Sequence, residues 1–561
     1  MDPKELLRFK ASAGTPVNRP LIIDDAETAP WDDACDVLVV GFGLAGASAA
    51  MKAAERPDIS VLVADRFTGG GASELSGGII YAGGTHVQRE AGVEDSTDNL
   101  YNYLGHETED FIKPETLRRF CDDSPQVIRW MEKQGVVFGG PATHKKTSYP
   151  TDEFYIYYSG NETVPEAAQR ATPAPRGHRA KPTFKSKAVF GGVFIMHAMK
   201  QAAARAPNVR TSWHTAARRL VLDKTGAVVG AELWSIPQGT FAAWRHRKLY
   251  AAGTNMILSL IGASKHVWQA TAALEAKYAK PRLVRVRRGI TLAAGGFINN
   301  RPMVETIASK YVDVAPLGTV GDDGSGIQLG VSAGGDVLKI DNVSAWRFIN
   351  PPYDWMKAVM VGSDGRRLTN EEQYGARLGE ALFAKSGGKG WIVVDHAVQE
   401  KAVAEINSDQ IQRYQQMQLR GMLRKQIKAD SLAELERKLG IPAGNLVATI
   451  SGYNADIVSG TPDAEGKNAA NCVPLQSGPF YAFDVSGGIR LNPVPGITLG
   501  GLRVDDDTGA VLRPDGVPIP GLHAAGRNAA GICANWYISG LSLADCIWTG
   551  WRAADGAVAR N

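Results

Sequence analysis

One short run of residues limits this chain to very few folds. Gly41-Phe42-Gly43-Leu44-Ala45-Gly46 directly follows Asp36-Val37-Leu38-Val39-Val40, an apolar, β-branched run with the character of a buried strand. It opens an Ala-rich stretch, Ala47 to Glu55, that reads as helix, and Ile59 to Asp65 reads as a second strand. Together they make a βαβ unit of about 30 residues, the context in which G-x-G-x-x-G marks a dinucleotide site. Gly41 permits the tight turn, Gly43 lets backbone approach a pyrophosphate, and Gly46 lets the helix pack on the strand. The helix start at Leu44 and Ala45 offers free N–H groups and the positive end of the dipole. Asp65 ends the second strand, where a carboxylate binds ribose hydroxyls; Arg66 beside it is suited to a 2′-phosphate. NAD, NADP and FAD share this fingerprint, so signals further along the chain must decide between them.

Those signals are glycine turns. The chain has 62 Gly in 561 residues, above the usual share of about 7%, and the excess is clustered, as where backbone closes on a ligand. Ser73 and Ser76-Gly77-Gly78 follow Gly69-Gly70-Gly71. Ala294-Gly295-Gly296-Phe297 ends a strand in mid-chain, and Asp322-Asp323-Gly324-Ser325-Gly326 forms a further turn. Near the C-terminus come Gly521-Leu522-His523-Ala524-Ala525-Gly526-Arg527 and then Ser539-Gly540-Leu541-Ser542-Leu543, opening a helix. In that order these segments resemble the fumarate reductase/succinate dehydrogenase flavoprotein superfamily, over most of 34–110 and 285–561. There such segments jointly cradle FAD. Asp65, Ala294 and Arg527 stand where that family usually has Glu, Thr and Glu. No His precedes the Ser76-Gly77-Gly78 turn, so the resemblance implies non-covalent FAD. It also implies a fold: an α/β protein with a Rossmann-like FAD-binding domain from 1–302 and 491–561, and an inserted α+β substrate domain at 303–490. A chain of this length is expected to divide in that way.

The substrate is approached through what is missing. Fumarate reductases need cations for a dicarboxylate, including an Arg five residues after the Asn of their V-N-E turn. Here the turn reads Thr369-Asn370-Glu371-Glu372-Gln373-Tyr374-Gly375, so Gly375 occupies that position. Arg377 is two residues on, about 200° around a helix. Tyrosine in place of cations suggests a neutral carbonyl compound. Tyr374, with Tyr537-Ile538-Ser539-Gly540 and Tyr81, resembles the bacterial 3-ketosteroid dehydrogenases, and most the Δ4-(5α) type; the Δ1 type carries Y-P-G-x-G, where this chain has Leu541. The resemblance implies proton abstraction at C4 and hydride transfer from C5 to flavin N5. Tyr537 is the expected proton acceptor, with Ser539 and Tyr374 in the relay and Gly540 beside them, although either tyrosine can instead bind the carbonyl. Δ1-desaturation and fumarate-type ene reduction are the alternatives. Trp346, Tyr353 and Trp355 are candidates for the pocket wall.

Charge and apolar patterning set the surroundings. With 62 Lys+Arg against 58 Asp+Glu, a net charge of +4 excludes a globally basic nucleic-acid binder. Five Cys show no C-x-x-C pair, so reduced thiols and no metal site are expected. The first 20 residues contain no apolar signal core and no run reaches the roughly 18 apolar residues of a spanning helix. A cytoplasmic protein is expected. The charge is uneven, however: ten Lys and Arg between Phe241 and Arg288 face a single acid, Glu275. Because this run also carries Trp244, Tyr250, Ile257, Leu258, Leu260 and Trp268, the segment 239–288 suggests an insertion lying on the inner face of the membrane. The electron acceptor expected for such an enzyme is a quinone or an electron carrier.

Overall fold

The structure is a computed structural model and describes residues 2–186, 190–256, 261–489 and 492–560, with backbone alone for 261–263. Its centre is a parallel sheet in the order Pro518–Ala524, Lys280–Leu292, Asp33–Val40, Val61–Ala64, Val209–Ser212. Strand Asp33–Val40 is buried on both faces, which explains its unbroken apolar sequence. Val37 and Val39 point to one side, into the core formed with helices Leu44–Ala53 and Leu541–Ala559. Cys35, Leu38 and Val40 point to the other, against Leu220, Leu233, Ile327 and Leu522. The two helices lie closely side by side: a Cβ on Gly550 would come 2.6 Å from the Ala45 carbonyl oxygen. The small side chains of Ala47, Ala49 and Ala50 are therefore a packing requirement.

A second unit has its own core. The antiparallel sheet Val359–Gly362, Gly390–Val394, Phe480–Asp484, Ile427–Ala429 is covered by helices between Gly375 and Ser459. Its cluster, with Trp355, Val361, Ile392 and Phe483, spans 349–485 and is distinct from the cores of the parallel sheet. Trp355 is fully buried there against Phe483, ring centroids 4.6 Å apart, so it belongs to this core and not to a pocket wall.

The sequence suggests one basic insertion over 239–288, and the structure divides it. Residues 280–288 belong to the 13-residue strand Lys280–Leu292, paired antiparallel with Val228–Ser235 and parallel with Asp33–Val40. Three of its cations meet acids of the protein. Arg282 meets Asp33 at 3.3 Å, Arg287 meets Asp36 at 3.3 Å, Arg285 pairs with Glu27, and Arg288 donates to the carbonyls of Val558 and Arg560. Only the helix pair Phe241–Met256 and Ile261–Tyr278 stands out from the sheet. Of its apolar residues, Tyr250 and Trp268 are buried inward and Phe241 and Trp244 are exposed; Ile257, Leu258 and Leu260 lie outside the described residues. Among the described residues no helix is long and apolar enough to cross a membrane, and no cluster of side chains is fit to hold a metal ion.

Candidate active site

A cleft runs along the top of the parallel sheet. Gly41, Gly43, Leu44 and Ala45 line it, with Asp65, Arg66, Ser73, Ala294, Gly295, Asp322 and Arg527. The three fingerprint glycines have different causes. A Cβ on Gly41, whose φ is 97°, would meet the Ala293 oxygen at 2.5 Å; one on Gly46 would meet the Gly41 oxygen at 1.9 Å. Both are required by the protein itself. A Cβ on Gly43 would meet nothing nearer than the Ser73 hydroxyl at 3.6 Å. Protein packing alone leaves room for a side chain there, so its absence keeps the cavity open to a ligand.

Two further observations fit a dinucleotide. Helix Leu44–Ala53 has Gly43 at its N-cap with no side-chain cap, so its start is left to a ligand, apart from the Leu44 N–H that donates to Ser73 Oγ at 3.0 Å. Arg527 is buried and ion-paired with Asp322 through Nη2, while its Nη1 has no partner. An unpartnered buried guanidinium nitrogen on a cavity wall suits an anionic or carbonyl oxygen. The residues present therefore fit the cofactor that the sequence implies.

Other expected contacts have different surroundings. Asp65 accepts from the N–H of Phe42 at 2.7 Å and of Phe67 at 2.8 Å, holding the turn that follows the strand. Arg66 is engaged by Glu275 and Asp323, which leaves its charge to the protein. Ser76 bonds back to the Ser73 carbonyl, and a Cβ on Gly78 would come 2.2 Å from Gly191. Ser76, Gly77, Gly78, Gly296, Asp323, Gly526 and Leu541–Leu543 are not among the residues that line it. Thr15, Thr319 and Tyr250 line it, with no sequence motif to announce them.

Beyond the Arg527 end of this cavity, aromatic residues converge from distant segments. Trp346 stacks on Tyr537 at 4.8 Å, Tyr537 lies 6.3 Å from Tyr374, and Phe348 meets Tyr374 edge-on at 5.5 Å. Tyr374 is positioned by its own N–H, which donates to Asn161 Oδ1 at 2.6 Å; Asn161 in turn donates to Glu107. The 537–540 loop is clamped by Ser159, whose Oγ donates to the Ser539 carbonyl at 2.9 Å and whose carbonyl accepts the Ser539 N–H at 3.2 Å. Gly540 has φ 92°, and a Cβ there would strike Ile79 and the Tyr81 nitrogen. Gly375 is equally constrained: a Cβ would come 2.5 Å from the Phe348 ring, so an arginine there is excluded. Arg377 turns away, onto Trp536 at 3.6 Å and onto Glu109.

The electrostatics of the two tyrosines differ. Burial pushes the Tyr374 phenol well above its ordinary value; Tyr537 and Tyr157 add to this and the Ser539 hydroxyl opposes it. Burial also raises Tyr537, with Cys533 adding, but there the Gly540 N–H and the Arg527 guanidinium act in the opposite direction. Tyr157, which the sequence did not single out, is fully buried and its hydroxyl makes no hydrogen bond of ordinary geometry. A narrow cleft opens beside Tyr374, lined by Tyr158, Phe348, Ile349 and Leu378. On its wall Lys146 is half-buried and donates to the Glu372 carbonyl; desolvation pulls its amine down to about 8, against the pull of Glu162.

Comparison with known proteins places this architecture. A family profile described as "FAD binding domain" matches residues 36–540. The chain is 35% identical over 523 residues to the 3-oxo-5-alpha-steroid 4-dehydrogenase of Comamonas testosteroni, covering 91% of this chain and 96% of that one. Among solved structures, the 3-ketosteroid-delta4-(5alpha)-dehydrogenase of Rhodococcus jostii RHA1, in complex with 4-androstene-3,17-dione, superposes with a TM-score of 0.78 at 28% identity, over 97% of this chain and all of that one. The 3-ketosteroid delta1-dehydrogenase of Sterolibacterium denitrificans shares the fold, with a TM-score of 0.63 at 18% identity over 94% of this chain and 100% of that one.

Proposed function

We infer the activity from one premise: the chain belongs to the FAD-binding-domain family, and its cofactor is FAD. We propose that it desaturates a 3-ketosteroid between C4 and C5. The single observation that carries this reading is the tyrosine cluster beside the Arg527 end of the cavity, in a chain 35% identical to a steroid 4-dehydrogenase. Bound FAD supplies a two-electron acceptor for the hydride that leaves C5. The protein must supply the rest: a hydrogen bond to the C3 carbonyl, which makes the C4 proton acidic, and a base to remove it.

The surroundings divide these tasks. Tyr537 has the two groups that favour a phenolate, the Gly540 N–H and Arg527, and so is assigned as proton acceptor. Tyr374 has only the Ser539 hydroxyl in that direction, remains a phenol, and is assigned as donor to the carbonyl. Ser539, set near both Tyr374 and Tyr157, links those two phenols. The lack of room for a cation at Gly375 and the turning away of Arg377 disfavour a dicarboxylate. The division into a cofactor part, 1–302 with 491–561, and a substrate part, 303–490, belongs to the same proposal and is supported by the separate core of 349–485. So does a quinone or small electron carrier as final acceptor. A lipid contact through the helix pair has support in exposed Phe241 and Trp244, stacked at 5.4 Å beside Arg245, Arg247 and Lys248; co-sedimentation with anionic vesicles, lost in a Phe241→Ser/Trp244→Ser variant, tests it.

The enzyme assignment is tested by anaerobic mixing with saturated 5α-3-ketosteroids. Bleaching of the flavin with release of the 4,5-ene supports it. Release of the 1,2-ene, or bleaching reversed by fumarate and not by a steroid enone, overturns it.

A further inference from the structure

The helix pair Phe241–Met256 and Ile261–Tyr278 interrupts a β-hairpin that is complete without it, since Ser235 and Lys280 are already paired. Its inner side lies against the cofactor cavity. Tyr250 lines that cavity and stacks on Phe67, ring centroids 4.1 Å and planes 12° apart; His246 stacks on the same ring at 5.5 Å. Trp268, Ala13 and Val320 complete this small buried cluster. Beside it is a buried ionic knot. Arg66 Nε meets Glu275 at 2.9 Å, Nη1 meets Asp323 at 3.2 Å, and Nη2 donates to the Ala13 carbonyl at 2.7 Å. His246 Nε2 contacts Glu275 at 2.8 Å, and Asp323 accepts the Thr15 N–H at 2.6 Å. The N-terminal arm, the helix pair, the strand end at 66–67 and the 322–325 turn therefore meet at one point.

That point has no role in the sheet. Burying two carboxylates and a guanidinium carries a desolvation cost, and the cost recurs whenever one partner is withdrawn. The knot therefore resists opening. Thr15, whose N–H the knot holds, and Tyr250, stacked on Phe67 beside it, face the cavity next to Asp65, where the fingerprint puts the ribose. We propose that the helix pair and the N-terminal arm form a clasp over the cofactor cavity, with Tyr250 and Thr15 as additional contacts of bound FAD, and that this clasp sets how slowly FAD leaves. The proposal rests on FAD as cofactor and is independent of the steroid reading.

The test is the rate of FAD release from holoenzyme, followed by the rise in free-flavin fluorescence after dilution. Tyr250→Ala and Glu275→Gln are each expected to release FAD about tenfold faster, a change of about 1.4 kcal/mol, and faster than Leu435→Ala, a core variant remote from the cavity, at an equal loss of apoprotein midpoint. A chain in which Asn-Gly replaces residues 237–278 is expected to release it faster still. If that deletion does not fold, the two point variants carry the test. Release at the wild-type rate in both, or faster release only in step with a lower apoprotein midpoint, overturns the clasp. Failure of the wild-type protein to retain FAD would instead overturn the cofactor assignment.

Discussion

The cofactor cradle is built from backbone, and the tyrosine cluster next to it is built from side chains. In the cradle Gly41 and Gly46 are fixed by contacts of 2.5 and 1.9 Å that any Cβ would make, and the ligand-facing groups are a turn and a helix start. In the cluster Tyr157, Tyr374 and Tyr537 arrive from three separate segments, and two of those segments are seated by a neighbour's hydrogen bonds: Asn161 under Tyr374, Ser159 under Ser539. A backbone site fails when its geometry is spoiled. A side-chain site keeps its geometry and loses its chemistry. The two should therefore respond oppositely to substitution.

The largest expected effect lies in the cluster. Tyr537→Phe should keep its FAD and slow flavin reduction by about 10²- to 10⁴-fold, the usual size of a lost general base. A stopped-flow rate close to wild type would remove Tyr537 from the mechanism. Within the cradle, Gly46→Val should prevent accumulation of folded protein, whereas Gly43→Ala should leave the apoprotein's thermal midpoint in place and weaken FAD by about tenfold or more. Equal loss of stability in both would mean that Gly43 serves packing after all. Titration sharpens the contrast further. Because burial holds the Tyr537 phenol above its ordinary value, the reduction rate should climb about tenfold per pH unit through the neutral range, as a base active only when ionised requires. A maximum near pH 7 would contradict that assignment.

The smallest effect is on stability. His178, buried between Thr85 and the Arg176 carbonyl, is pulled down to about 4 by burial. Its unfolded form takes up a proton below about 6.5, so this contribution is whole above that pH and is lost as pH falls toward 4. The expected loss by pH 5 is about 2 kcal/mol in urea denaturation, and it should shrink in His178→Gln. A pH-independent midpoint would show that the ring takes up its proton in the fold as readily as in the unfolded chain.

The same contrast explains what the sequence made legible. Gly41, Gly43 and Gly46 carry their reason locally, so the βαβ unit and its ligand class could be read from the residues alone. Tyr374 and Tyr537 were legible only through the order of segments they share with a known family. Tyr157, Lys146 and Tyr250 were not legible, because nothing in their flanking residues reveals which distant segment they will face. The basic run 239–288 was legible only in part, for a related reason. Composition registers ten cations, but only the fold reveals that Arg282, Arg285 and Arg287 are matched by Asp33, Glu27 and Asp36, acids some 250 positions away, and that the lone Glu275 anchors Arg66.

The claim at the centre of this account is that hydrogen leaves C4 and C5 of a saturated 3-ketosteroid. Single-turnover oxidation of a substrate carrying deuterium at C5, with mass spectrometry of the product, tests it directly. The expected result is complete loss of the label together with a primary isotope effect on flavin reduction. A product that retains the C5 deuterium, formed at the unlabelled rate, would contradict it.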